Sequence, residues 1–374
     1  MRVLLLHNRY RALGGEERAV GDIADLLARR GDTVERLERS SREVGRLAAA
    51  RSLLAGGFDP QEVAAAVRRL GADVVHAHNV HPQFGWRALA AAREVGARTV
   101  LHVHNFRLFC AIAVAYRDGA PCYRCRGRDT LPGLRLRCRG SVPEATVYAA
   151  GLHLQQPHLF EHSDRFIVVS SAHGARLREL GLPAEKASPL PNFIPKAQFA
   201  AASQAGQGRF ALVAGRLVEE KGYDTAIRAA RAAGVPLVVA GEGPDAARLR
   251  RLATGAEVRF TGLLSPAELD KLRRQAAVVL VPSRCEEACP YAVLDAFAAG
   301  IPVLGSNRGG VPELVGPQAA LDPEDPGAWA DALRTLWGDP DRRTAIGNQL
   351  LQLARERLGE DSYYPRLTAI YAGT

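Results

Sequence analysis

Long apolar runs are missing from this chain. No uninterrupted stretch approaches the eighteen or so residues that span a bilayer, and Val3–Leu6 is too short for a secretory leader. That run reads as a first strand, and the chain as a cytoplasmic one. Lysine is scarce as well: of 49 basic residues only Lys186, Lys196, Lys221 and Lys271 are lysines, so arginine carries the net charge of +9. Aromatic residues make up only 6%, and no recognition helix, zinc finger or aromatic RNA-binding signature accompanies the charge, which argues against a nucleic-acid partner. The excess suits anionic nucleotides, or approach to the inner face of an anionic membrane. The full G-x-G-x-x-G of dinucleotide redox enzymes is absent. No D-x-D stands at a strand end to hold a catalytic divalent metal.

What is present is repeated alternation of apolar runs with helical periodicity. At 374 residues and 47% hydrophobic composition, two α/β domains are expected. Val3–Leu6, the pair Gly14-Gly15 and a helix carrying Val20, Ile23, Leu26 and Leu27 open a Rossmann-like unit. Two later strands end in His76-Ala-His78-Asn79 and His102-Val-His104-Asn105. In open parallel sheets ligands collect beyond the carboxyl ends of strands, which makes these histidines and asparagines site candidates. His102 shares the face of His104 but lies deeper, and His76 and His78 serve either a pocket or the core. The proline-punctuated Pro189–Pro195 reads as a linker, giving a first domain over 1–190 and a second over 191–360. Ser203 to Gly208 reads as a flexible surface connection.

The second domain restarts with a strand ending in Gly215-Arg216, followed by Lys221-Gly222. A guanidinium and an ammonium leaving a strand end can neutralise a diphosphate. Gly241, Thr261 and Gly262 end two further strands, where backbone can approach a ligand. Next comes the run Pro282 to Glu313: strand end, acidic loop, helix from Tyr291, Gly300, strand, and a Gly309-Gly310 loop. Glu287 precedes the helix and Asp295 lies eight residues on, so the two carboxylates can grip opposite ends of a ligand at a helix N-terminus. Gly309 and Gly310 add backbone donors for phosphate. Cys285 and Cys289, lacking nearby metal-ligand partners, are expected to be packing thiols.

The segment 105–141 stands apart as a Cys-rich insertion. Cys110, Cys122, Cys125 and Cys138 are spaced C-x11-C-x2-C-x12-C among eight arginines and two aspartates. Four thiolates suit a structural zinc. Two disulfides, disfavoured in a reducing compartment, and free thiols are the other readings.

The Glu287-x7-Asp295 pair, with Ala296-Phe-Ala-Ala-Gly300, Gly309-Gly310-Val-Pro-Glu313 and G215-R-L-x-x-x-K-G222, resembles the signature of retaining glycosyltransferases of family 4. The likeness extends over nearly the whole chain. It implies the GT-B fold, two Rossmann-like domains facing across a cleft, with a C-terminal helix over 361–374 packing back on the first. The first domain would then bind the acceptor and the second a nucleotide-diphosphate sugar. The resemblance further implies that Gly14 and Gly15 approach the donor diphosphate and that His104 lies near the transferred sugar. Arg216 and Lys221 would neutralise the diphosphate, and main chain near Thr261-Gly262 would read the base. Glu287 would lie at the sugar and Asp295, one methylene shorter than the family glutamate, at the ribose. His78, Asn79 and Asn105 remain acceptor-pocket candidates. A sugar-nucleotide epimerase on the same architecture, a phosphorylase using free phosphate and a non-catalytic nucleotide-sugar-binding module are the alternatives.

Overall fold

The computed structural model describes residues 1–10 and 14–373; residues 11–13 and Thr374, the last residue of the expected C-terminal helix, lie outside it. The described chain separates into two units. One comprises Met1–Ala115, Cys122–Pro191 and Tyr364–Thr374, the other Tyr116–Pro121 and Asn192–Tyr363.

The first unit is built on six strands: β1 (Arg2–Arg9), β2 (Thr33–Ser40), β3 (Val74–Ala77), β4 (Arg98–Val103), and, after a small hairpin β5 (Tyr116–Arg117) and β6 (Ala120–Pro121), β7 (Arg165–Val168) and β8 (Ala187–Pro189). Their order is β2-β1-β3-β4-β7-β8, all parallel. Val3 to Leu6 are fully buried because helices cover both faces of the sheet. Each covering helix offers one apolar stripe. Gly15–Arg29 buries Val20, Ile23, Leu26 and Leu27, and Pro60–Leu70, capped by the Asp59 carboxylate, buries Val63 and Val67. The hairpin Tyr116–Pro121 groups with the second unit, and the cysteines on either side of it with the first.

The second unit repeats the plan with β9 (Ala211–Ala214), β10 (Leu237–Ala240), β11 (Val258–Gly262), β12 (Val278–Val281), β13 (Val303–Ser306) and β14 (Ala320–Leu321). Its parallel order, β11-β10-β9-β12-β13-β14, reverses direction between β9 and β12. The first sheet reverses between β1 and β3. A strand-order reversal leaves a crevice at the carboxyl ends, where ligands of such sheets bind. The core of this unit gathers Val213, Ile227, Val239 and Leu280 with Leu333 and Trp329, a side chain with no exposed surface. Cys285 and Cys289 are buried, and burial pushes both thiols up to about 12, so they pack as neutral groups.

One sequence expectation needs correcting. Ser203–Gly208 is not a loose connection: Ser203 and Ala205 are buried, and the Arg343 guanidinium donates to the carbonyls of Ala205 and Gly206, each at 3.0 Å. The arginine, together with the 3-10 turn Ala205–Gln207, satisfies this backbone. The long helix Val142–His162 starts where Ser141 caps it, with Pro143 in its first turn.

Candidate active site

At the β9/β12 reversal the second unit collects its charged residues. Gly215-Arg216 follows the end of β9, and a 3-10 turn, Glu219–Lys221, presents Lys221. Gly222 follows with φ +65°, and a Cβ there would meet the Pro282 carbonyl at 2.0 Å. The Lys221 turn therefore lies directly against the end of β12, and only glycine permits the approach. Lys221 Nζ forms an ion pair with Glu287 Oε1, which also accepts from the Ser283 hydroxyl at 2.7 Å. Burial pushes the Glu287 carboxyl up, but the neighbouring ammonium and the Ser283 hydroxyl outweigh it and leave the group below its ordinary range. For Lys221 burial acts downward and Glu287 reverses it, so the ammonium titrates above its ordinary value.

The Gly309-Gly310 loop closes on the same point. Gly310 N–H donates to the Glu287 carbonyl at 2.8 Å, and Gly309 has φ +57° with room for no Cβ against Glu287 backbone. Gly215, Gly241 and Gly262 lie on adjacent strand ends: Gly215 N–H donates to Ala240 O at 2.9 Å and Gly241 N–H to Gly262 O at 2.8 Å. The Thr261 hydroxyl donates to the Gly262 carbonyl at 3.0 Å. Arg216 behaves differently from Lys221. It is largely exposed and lies 3.5 Å from Glu220, as an ordinary surface cation would. Asp295 is not at Glu287; it meets Arg273 Nη2 at 3.1 Å, both side chains largely buried. Arg273, which ends the helix Pro266–Arg273, carries no motif that would have marked it.

In the first unit four imidazoles form a two-layer block across β3 and β4. His76 Nε2 lies 3.2 Å from His102 Nδ1, and His78 Nδ1 lies 2.9 Å from His104 Nε2. The bonded rings are nearly coplanar, at 10° and 12°, while His102 stacks on His104 at 4.1 Å and His76 on His78 at 4.4 Å. In each bonded pair one ring donates and the other accepts, so their tautomers are locked together. Burial holds His76 and His104 neutral, down to about 3. The Tyr371 hydroxyl, from the helix Glu360–Ala372, completes the deeper layer at 2.7 Å from His76 Nδ1. His76, His78 and His102 do bring ring nitrogens within 4.8 Å of one another. A metal must lie in each ring plane along a nitrogen lone pair, and stacked rings whose nitrogens face one another do not aim at a common point.

Above this block lies a polar hollow lined by Tyr10, Glu16, His78, Asn79, His104, Asn105 and Arg107. Gly14 caps the helix that carries Glu16 and Glu17, and its N–H donates to Glu17 at 2.9 Å. Two adjacent carboxyls are driven apart here. Burial raises Glu16, which accepts from the Tyr10 hydroxyl at 2.9 Å and the Asn105 amide at 3.2 Å. Burial also pushes Glu17 up, but His7 and the N–H groups of Tyr10 and Gly14 prevail and hold it at about 2. Asn79 instead braces the strand end, donating to Asn8 O at 2.8 Å. Glu16, Tyr10 and Arg107 escaped the sequence reading; the acidic pair straight after Gly14-Gly15 was the one available signal.

Two Rossmann-like sheets with charged and polar residues at their reversal points define a doubly wound α/β protein, and comparison with known proteins gives the family. Glycosyltransferase Family 4 matches residues 13–198 and Glycosyl transferases group 1 matches residues 196–351. The chain belongs to the group 1, family 4 glycosyltransferases and has the GT-B fold. It is 35% identical over 150 residues to a GDP-mannose-dependent alpha-(1-6)-phosphatidylinositol monomannoside mannosyltransferase of Mycobacterium tuberculosis, a match spanning 35% of this chain and 39% of that relative. It is 25% identical over 319 residues to a D-inositol 3-phosphate glycosyltransferase of Corynebacterium glutamicum, spanning 76% and 68%. Among solved structures it resembles Anabaena HepE in complex with UDP and glucose (TM-score 0.67, 17% identity, all of both chains). Sucrose-phosphate synthase of Thermosynechococcus elongatus is similar at TM-score 0.72 and 16% identity, over 100% and 99% of the two chains.

Proposed function

We propose that this chain transfers a sugar from a nucleotide-diphosphate donor to an acceptor hydroxyl with retention at the anomeric carbon. The second unit takes the donor and the first supplies the acceptor side. The observation that carries the reading is the Lys221–Glu287 pair at the β9/β12 reversal, with the Gly309-Gly310 loop hydrogen-bonded to Glu287. The chemical barrier is departure of a diphosphate from an oxocarbenium-like centre, so groups fixed in advance against the new negative charge lower it most. Lys221 provides the fixed charge, glycine-loop N–H groups add dipoles, and exposed Arg216 swings onto the phosphates when they arrive. These cations do the work a divalent metal does elsewhere. Glu287 keeps Lys221 oriented and faces the sugar, Asp295 holds the ribose with Arg273 behind it, and His104 contacts the sugar or the incoming hydroxyl.

A broad groove supports an acceptor with both anionic and apolar parts. A cavity of about 790 Å³ beside the polar hollow is lined by Arg46, Arg107 and Arg139 together with Leu47, Leu53 and Val147. Among the described residues no helix is long and apolar enough to cross a membrane, so contact with a lipid-linked acceptor would be peripheral.

A thermal-shift screen against nucleotide sugars tests the donor assignment: a donor at a hundred times its dissociation constant adds about 2.7 kcal/mol of stability. Release of free nucleoside diphosphate only when acceptor is added separates transfer from epimerisation. Turnover with free phosphate and no nucleotide sugar would mark a phosphorylase. Donor binding with no turnover on any acceptor would leave a binding module.

A further inference from the structure

We propose that His158, Glu161 and His162 form a surface site for a late first-row divalent cation, zinc above all, on the last turn of the helix Val142–His162. The three side chains share one helix face, since residues three and four apart are neighbours there. Their ligand atoms all lie within 4.8 Å of one another. The Glu161 carboxylate bridges the two rings, with Oε2 3.6 Å from His158 Nδ1 and 3.9 Å from His162 Nε2. Two imidazoles and a carboxylate are a donor set that binds zinc and leaves a further coordination position to water. The site shares no residue with the candidate active site and does not rest on the glycosyl-transfer reading.

Trp86, on the helix Gly85–Glu94, supplies the second, independent observation. Its indole stacks on His158 at 4.4 Å and on His162 at 5.4 Å, inclined by 28° and 13°. The two imidazoles stand 6.4 Å apart and only 16° from parallel. Were the indole sandwiched between them, their separation would approach those two distances added together. At 6.4 Å they instead lie side by side on one indole face. Rings arranged in this way can hold one metal close to both of their planes, unlike the stacked block of His76, His78 and His102. The indole also restricts two side chains whose rotamer freedom would otherwise be lost only on binding, which favours the bound state.

Little has to move for a cation to enter. Bonds of about 2.0–2.2 Å at tetrahedral angles set donor atoms about 3.4 Å apart, so the carboxylate has to shift by about half an ångström or less. Nothing else competes for the donors: among the described residues neither imidazole nor the Glu161 carboxylate makes a hydrogen bond. The backbone beneath them is held. Lys186 Nζ donates to the carbonyls of Phe160 and Ser163 at 2.7 and 3.0 Å, and Arg93 donates to the Glu161 carbonyl at 3.2 Å. Arg93 is itself paired with Asp164 at 3.0 Å, which offsets the one guanidinium beside the site. The clustered cysteines offer no such constellation, since no three of their sulfurs lie within 4.8 Å of one another.

Calorimetric titration of zinc into the full chain, stripped of metal and kept reduced, tests the site. The unmodified chain should bind one equivalent more tightly than about 100 μM on this turn. That equivalent should be lost in H158Q/H162Q and weakened more than about tenfold in E161Q. H153Q should keep it, because His153 lies on the same helix but bonds the Arg128 carbonyl at 2.7 Å. All the substituted side chains are at least partly exposed, so the variants should retain the metal-free thermal midpoint. Zinc should raise that midpoint in the unmodified chain and not in the double variant. Nickel in place of zinc should quench tryptophan emission in the unmodified chain and not in W86F, which reports an ion beside the indole. Zinc binding that is the same in H158Q/H162Q would put the ion on other groups, such as the clustered cysteines, and overturns the proposal. So does the lack of any equivalent tighter than about 100 μM in the unmodified chain.

Discussion

Replacing Lys221 by alanine separates what the cation does for catalysis from what it does for the fold. Glu287 is held by the Lys221 ammonium and by the Ser283 hydroxyl at 2.7 Å. Alanine leaves only the hydroxyl beside a largely buried carboxylate, and orphaning one member of such a pair costs about 3–5 kcal/mol. In the unmodified protein the Glu287 group lies below its ordinary range, so its contribution is present above about pH 4.5 and is lost as pH falls through the folded value. Lys221 lies above its ordinary 10.5, so its contribution is complete below that pH and is lost as pH rises through the folded value. The pair therefore stabilises across the whole neutral range. In K221A the sign on the acid side reverses: burial now dominates Glu287, and protonating it relieves the orphan charge. Urea midpoints should show K221A gaining stability on acidification from pH 7 to about pH 5, and K221A/E287Q recovering most of the loss at pH 7. Activity should not follow stability. Single-turnover nucleotide release should fall by about 10²–10³ in K221A, on the scale of removing one preorganised donor, and stay low in the double variant. Turnover near normal in K221A refutes the phosphate assignment. A double variant no more stable than K221A refutes the claim that the pair is what holds Glu287.

Four further outcomes follow from the same geometry. R273L removes the partner of Asp295 and should raise the donor KM about tenfold while changing kcat less than threefold, the mark of ground-state binding lost with transition-state contacts kept; a pure kcat effect would place Asp295 elsewhere than at the ribose. G309A forces a left-handed alanine whose Cβ meets the Glu287 carbonyl at 2.5 Å, so donor-induced thermal stabilisation should vanish, and its survival would detach this loop from the donor. E17Q should flatten the acid limb of stability: a carboxyl held at about 2 against an ordinary 4.5 contributes up to about 3 kcal/mol above pH 4.5, lost as pH falls toward 2. H78F keeps a ring on His76 but deletes the hydrogen bond to His104, and should lower kcat about 5- to 30-fold, the equivalent of about 1–2 kcal/mol; an unchanged kcat would mean that the His104 tautomer does not matter.

The strands and glycine turns were legible because their signals are local. Val278–Val281 needs no distant partner to read as a buried strand, and Lys221-Gly222 and Gly309-Gly310 announce turns that side chains cannot make. What escaped depends on register and on pairs far apart in sequence. Four histidines at strand ends are visible, but which nitrogens bond is fixed by the offset of β3 against β4, where His76 stands opposite Val100. Residues one pleat apart thereby meet, and His102 becomes a stacking support for His104. Asp295 shows a carboxylate to any reader, but its partner is 22 residues upstream on a helix whose end could equally have faced solvent. Ser203–Gly208 has the composition of a loose linker, and distant groups hold it: Arg343, 138 residues beyond Ala205, and Asn348 and Gly300, which bond Ser203. Long-range polar satisfaction leaves no mark in composition or spacing. A reading from motifs therefore finds the candidate site groups and misses those that hold them in place. In this chain the holders (Arg273 behind Asp295, His78 behind His104, Ser283 beside Glu287) convert a set of plausible residues into a site with one geometry.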